Sequence, residues 1–194
     1  MRTKPFTLVH GLPSVPQHFI TQLKNLPLSE QSEQGNIYDG YRQLTEWNGI
    51  SGDAPRLTRR EFTHEFEQWV KDNITPQFQN CGVFQCFPVN GVGYTGAHTD
   101  KTRNYVLIFN VQSGGKDAEL AFWHEDGQEV KRTRGTFVGS TKNLTSIGKF
   151  RAPENQWYLI DALVLHSIEN ISEVRLNFQI SFDQVLPEFL LEKI

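Results

Sequence analysis

The chain has 194 residues, a formal charge of −3, fourteen Phe and four Trp. That length suffices for one domain with a real core, and a near-balanced, mildly acidic charge leaves no footprint for nucleic acid or an anionic membrane. Residues 1–6 lack the apolar run of a signal peptide and no stretch approaches membrane-spanning length, so the expectation is a cytoplasmic protein without a membrane partner.

In chain order, residues 1–30 begin with the apolar run Phe6–Val9. A short helix is then predicted from near Pro16, with Phe19, Ile20 and Leu23 at helical spacing and Pro27 ending it. Residues 30–57 are polar and rich in Gly, Ser and Asp, interrupted by Ile37, Tyr38, Tyr41 and Trp47. They read as a loop, either a recognition lid over a site or a surface loop pinned by its aromatics. The clearest helix is predicted over 58–73. Thr58 and Glu61 have the spacing of a capping box, and Phe62, Phe66, Trp69 and Val70 form one apolar stripe. His64 lies off that stripe and is expected in solvent. Cys81 and Cys86 have no second pair to close a zinc site and read as reduced thiols.

From Val83 the apolar period becomes two. Strands are predicted at 83–88, 105–111, 119–123, 129–138, 157–165 and 174–182, with Asn90-Gly91, Gly114-Gly115 and Asp126-Gly127 supplying turn chemistry. The basic cluster 131–134 reads as a solvated face. The expected fold is mainly β with buttressing helices. A helical and lid portion over 1–80 would lead into a jelly-roll core over 83–183, all within one domain, 1–194. In the last strand Leu176, Phe178, Ile180 and Phe182 lie on one side and Arg175, Asn177, Gln179 and Ser181 on the other. Periodicity does not say which side meets solvent.

The stretch that carries chemistry is Gly96-Ala97-His98-Thr99-Asp100. If it is extended, His98 and Asp100 point the same way. A second imidazole would complete two nitrogens and one oxygen on one face of a metal and leave the opposite face open, the ligand set of non-haem Fe(II) oxygen chemistry. His166 is the candidate, with His124 next, and Arg175 follows His166 by nine residues. Taken singly, the His98/Asp100 pair could belong to a turn, His166 to the core and Arg175 to the surface opposite Glu173.

The ordered set of His98-x-Asp100, Gly114-Gly115 before Glu119-Leu120-Ala121-Phe122, His166 and Arg175 resembles the Fe(II)/2-oxoglutarate-dependent dioxygenase superfamily over roughly residues 83–183. The resemblance implies a double-stranded β-helix, or jelly roll, with Fe(II) held by His98, Asp100 and His166. It implies 2-oxoglutarate and O2 as cosubstrates and ascorbate as a stimulant. Arg175 would grip the distal carboxylate of the keto acid through its planar fork, with Tyr105 and Asn177 as further keto-acid contacts. Tyr94, Arg103 and Trp123 are candidate substrate residues. It also turns the polar side of the last strand into the barrel and the apolar side onto helices.

The implied reaction is hydroxylation of a small molecule, such as an amino acid or related metabolite, with 2-oxoglutarate converted to succinate. Halogenating members lack the carboxylate ligand, and Asp100 is present. His98-x-Asp100-Lys101 with Arg175-x-Asn177 is also similar to the alkylated-nucleobase demethylases. Their final arginine is Ser181 here, and the acidic chain argues against a nucleic-acid partner. The competing classes are a non-catalytic jelly-roll metal- or ligand-binding protein and a cupin-type enzyme, which would call for more clustered histidines. Oligomeric state leaves no signal.

Overall fold

The computed structural model describes residues 4–25, 36–38, 41–47, 57–88, 97–100, 103–125, 132–134, 137–138, 144–183 and 186–194. Its elements are β1 (Phe6–Val9), α1 (Gln17–Lys24), β2 (Asn36–Tyr38), β3 (Tyr41–Trp47), α2 (Leu57–Asn73), β4 (Asn80–Pro88), β5 (Tyr105–Ser113), β6 (Glu119–Glu125), β7 (Arg132–Arg134), β8 (Phe137–Val138), β9 (Leu144–Phe150), β10 (Trp157–Asp161), β11 (Leu165–Glu169), β12 (Arg175–Phe182) and α3 (Glu188–Leu191). A seven-stranded sheet runs β1-β10-β5-β12-β4-β3-β2, a three-stranded sheet runs β11-β6-β9, and β7 pairs with β8. Every pairing is antiparallel.

Two cores lie on opposite faces of the large sheet. On one face Leu107, Phe109, Val83, Cys81, Leu176, Phe178 and Ile180 pack with Phe19, Ile20 and Leu23 of α1 and Phe66 and Val70 of α2. On the other, Val106, Ile108, Tyr158 and Ile160 meet Leu120 and Phe122 of the small sheet. Sheet therefore packs on sheet, with helices outside, which is the jelly-roll layering expected of this chain. The last strand sits between the layers. All eight of its residues are buried: Leu176, Phe178, Ile180 and Phe182 join the helix-side core, and its polar residues turn toward the small sheet.

Several sequence expectations are corrected here. Among the described residues the helical and lid portion expected over 1–80 also carries strands, since β1, β2 and β3 belong to the large sheet alongside α1 and α2. Within 30–57, a hairpin of β2 and β3 pairs onto β4. Backbone pairing at that sheet edge outweighs the polar composition that suggested a loop, and the rest of the stretch lies outside the described residues, as does Pro27. Helix α2 starts at Leu57, which puts Thr58 inside the first turn rather than at the cap. As expected, Phe66 and Val70 are buried and His64 is exposed. The single strand expected over 129–138 is two short ones, and β9 was not anticipated.

The run 157–165 also breaks. Asp161 Oδ1 accepts the Leu163 N–H at 3.0 Å and its carbonyl accepts that of Val164 at 3.3 Å. This turn, built by an aspartate on its own downstream backbone, moves the chain from the large sheet to the small one.

Candidate metal centre

That turn places His166 as the second residue of β11. Its backbone N–H and C=O exchange hydrogen bonds with those of His98, at 2.9 and 3.0 Å, an isolated antiparallel bridge that brings the two rings to 4.5 Å between centroids. Asp100 donates its N–H to Ala162 O at 2.9 Å, so the same turn anchors both sides of the pair. The ligand atoms of His98, Asp100 and His166 all lie within 4.8 Å of one another. Among the described residues these three alone form such a cluster, and His124 is exposed away from it.

The second contacts of these side chains suit ligation. His166 Nδ1 lies 2.9 Å from Val164 O; a carbonyl only accepts, so the proton sits on Nδ1 and the Nε2 lone pair is left for a metal. Asp100 Oδ1 is 3.6 Å from His98 Nε2, and its other oxygen accepts the Arg103 Nε–H at 2.5 Å. Burial pushes the Asp100 carboxyl up, but Arg103, His166 and His98 together outweigh it and hold it below its usual range. The side chain is thus kept as a carboxylate, the form a metal needs.

At the other end of β12 the guanidinium of Arg175 is 2% exposed. It donates from Nη1 to Ser113 O and from Nη2 to the Tyr158 hydroxyl, each at 2.8 Å, while its Nε–H has no partner. A buried charged donor left unsatisfied is costly. The Tyr158 phenol is raised above its ordinary value by burial, with Arg175 pulling the other way. It remains a neutral hydroxyl that can donate onward.

The Gly114-Gly115 turn fixes where Arg175 starts. Gly114 and Gly115 have φ of +95° and +112°, open only to glycine without strain. Gly114 O accepts the N–H groups of Ser172 and Glu173 at 2.9 and 3.0 Å, and a Cβ on Gly114 would lie 3.1 Å from Arg175 Cβ.

Between the two ends, Asn177 and Gln179 are buried on the same side of β12 and linked by Gln179 Nε2 donating to Asn177 Oδ1 at 2.9 Å. Asn177 therefore lies on the inner face of β12, turned toward the small sheet. Tyr105 does not face that way, since it shares the opposite face of β5 with Leu107 and Phe109 and packs on the helix-side core. Trp123, a candidate substrate residue, is half-buried. It lies on the face of β6 away from Phe122, near Leu165 and Ala97, and donates to Ser167 Oγ at 3.0 Å. Arg103, a candidate substrate residue, donates its Nε–H to Asp100 Oδ2 at 2.5 Å. Tyr94 lies outside the described residues. Ser181 Oγ accepts from Arg103 Nη1 at 3.2 Å, so a guanidinium reaches position 181 from a distant part of the chain. Tyr158 escaped sequence reasoning because an apolar run disguised it. The available signal was its alternation with Ile160, which puts it on the inward face of β10.

No helix among the described residues is long and apolar enough to cross a membrane. No family model matches the sequence, and no curated protein does. Among solved structures, the chain is similar to an oxidoreductase of the 2OG-Fe(II) oxygenase family from Burkholderia pseudomallei, with a TM-score of 0.55 and 9% identity over 92% of this chain and 84% of that one. A prolyl-4-hydroxylase from Pseudomonas putida aligns with a TM-score of 0.48 and 11% identity over 95% of each chain. AviO1 from Streptomyces viridochromogenes aligns with a TM-score of 0.45 and 13% identity over 94% of this chain and 92% of that one. The first of these shows that the fold is one used by 2OG-Fe(II) oxygenases.

Proposed function

We propose that the chain is an Fe(II)- and 2-oxoglutarate-dependent oxygenase that hydroxylates a small molecule, with an amino acid or related metabolite as the leading substrate class. One observation carries the reading. Two imidazoles and a carboxylate converge at one end of the inner face, and a buried arginine with an unsatisfied N–H lies on that face toward the other end of β12. His98, Asp100 and His166 would hold the metal facially, and Arg175 with Tyr158 would take the distal carboxylate of the keto acid.

Bound there, Fe(II) would supply the activation of O2 that couples decarboxylation of 2-oxoglutarate to oxidation of the substrate. The protein's own part is positional. The Val164 carbonyl fixes the His166 tautomer, the Ala162 carbonyl and Arg103 fix Asp100, and the Gly114 turn fixes Arg175. The apolar side chain of Phe122 beside His166 is fully buried, and a low-dielectric flank of this kind strengthens charged contacts next to it.

The test is succinate formation from 2-oxoglutarate with Fe(II), with and without a panel of amino acids and related metabolites. Wild type should form succinate slowly alone and faster with a true substrate. His98→Ala, Asp100→Ala and His166→Ala should each abolish it while retaining a cooperative thermal transition. A wild-type protein that neither binds 2-oxoglutarate at millimolar concentration nor forms succinate with any compound would end this reading in favour of a binding protein.

A further inference from the structure

We propose that Arg103 is a positioning residue that keeps Asp100 bound to the metal through one oxygen only, and so keeps a coordination position free for the keto acid. This rests on the oxygenase reading above. The two carboxylate oxygens of Asp100 have different neighbours: Oδ1 faces His98 Nε2 at 3.6 Å, while Oδ2 accepts the Nε–H of Arg103 at 2.5 Å. The guanidinium is itself fixed. Its Nη1 donates to Gln179 Oε1 at 2.8 Å and to Ser181 Oγ at 3.2 Å, and both partners are buried on β12. The main chain of Asp100 is tied to Ala162 O at 2.9 Å, which leaves the carboxylate little freedom to swing.

An aspartate can close one or both oxygens on a divalent ion. Three protein ligands leave three positions on a six-coordinate ion. A chelating keto acid would need two of these positions, and a second oxygen from Asp100 would compete with it for them. To provide it, Oδ2 would have to abandon a short charge-assisted hydrogen bond and leave a partly buried guanidinium short of an acceptor. Arg103 thus acts through Asp100.

A generic structural role and this one predict different binding data. Wild type, Arg103→Gln and Arg103→Lys are titrated with Co(II), then with 2-oxoglutarate, by calorimetry and visible absorption. The cobalt d–d bands report a change in the ligand set, and no turnover is needed. In Arg103→Gln, Co(II) affinity should be retained or rise while 2-oxoglutarate affinity falls by about tenfold or more, the worth of one charge-assisted hydrogen bond. The cobalt spectrum should already differ before keto acid is added. Arg103→Lys, which keeps the charge without the fork, should fall between; if Arg103→Gln does not fold, the Lys variant carries the comparison.

Unchanged 2-oxoglutarate affinity overturns the proposal. So do parallel losses of Co(II) affinity, 2-oxoglutarate affinity and thermal stability, which would mean a packing role. Wild type binding neither Co(II) nor 2-oxoglutarate would remove the oxygenase reading itself, whereas wild type binding both beside an indifferent Arg103→Gln removes this inference alone.

Discussion

Arg175 and Tyr158 are where single side chains can be separated by their chemistry. Arg175 carries a full charge and an unsatisfied Nε–H, whereas Tyr158 contributes one neutral hydroxyl already engaged by Arg175 Nη2. Hydrogen bonds to charged groups are worth about 1.5–3 kcal/mol and neutral ones about 0.5–1.5 kcal/mol. Arg175→Ala should therefore weaken 2-oxoglutarate by about ten- to a hundredfold or more with Co(II) affinity unchanged, and Arg175→Lys should recover part of the loss. Tyr158→Phe should cost only a few-fold to about tenfold. Equal losses in the two variants would mean that the hydroxyl, not the guanidinium, is the anchor. The tyrosine also gives a pH signature. Burial raises its folded pKa above the ordinary value of 10.0. A phenol with a raised folded pKa contributes stability that is fully present below the unfolded pKa and is lost as pH rises through the folded one. Thermal stability of wild type should fall above about pH 10, and Tyr158→Phe should flatten that fall. An identical alkaline profile in the variant would refute the assignment.

At the scale of elements, the tightest constraint is the glycine pair between β5 and β6. A Cβ on Gly115 would lie 2.1 Å from Ser172 Oγ in a backbone conformation with φ of +112°. Gly115→Ala should lose about 1–3 kcal/mol from backbone strain alone, with the clash added. Adding Ser172→Ala should restore only the part due to the clash. Because the turn sets the start of β12, 2-oxoglutarate affinity should fall in Gly115→Ala while Co(II) affinity does not. A shift in Co(II) affinity of the same size would show that the turn supports the whole barrel rather than its Arg175 end.

This turn was legible in the sequence, as were α1, α2 and the alternation of β12, because each is written in local chemistry: special φ, helical spacing, period two. The His98–Asp100 pair was legible too, since it needs only an extended backbone, whereas His166 was legible only through its order with Arg175 in the resembled pattern. What was hidden depended on partners distant in sequence. The β2–β3 hairpin gains its order from the edge of β4. The break at 162–164 turns on one aspartate inside an apolar run. Arg103 reads from sequence as a candidate substrate residue, because Gln179 and Ser181, which accept from it, lie more than seventy residues away.

For the molecule as a whole, the consequence of two cores on one sheet is that stability and site geometry should be separable. Phe66 of α2 is fully buried and stacks near Phe178 at 4.5 Å between centroids, on the helix side. Phe122 is equally buried but lies between the sheets, with its ring 6.3 Å from that of His166 and 5.9 Å from that of Phe150. Truncating either to alanine removes a similar aromatic volume and should cost about 3–5 kcal/mol. The two losses should differ in what they do to the metal centre of the protein that remains folded. Phe66→Ala leaves the inner face of β12 supported by β4 and β5 on both sides, so its Co(II) affinity, measured well below its melting temperature, should match wild type. Phe122→Ala opens space beside the His166 imidazole, whose bridge to His98 spans only one residue pair, so Co(II) affinity should fall with stability. Equal metal affinities in the two variants would show that the His98–His166 bridge and the Ala162 turn alone fix the ligands. Equal losses would show that the layers are mechanically coupled, and that the helices, remote from the metal, are part of what holds its ligands in place.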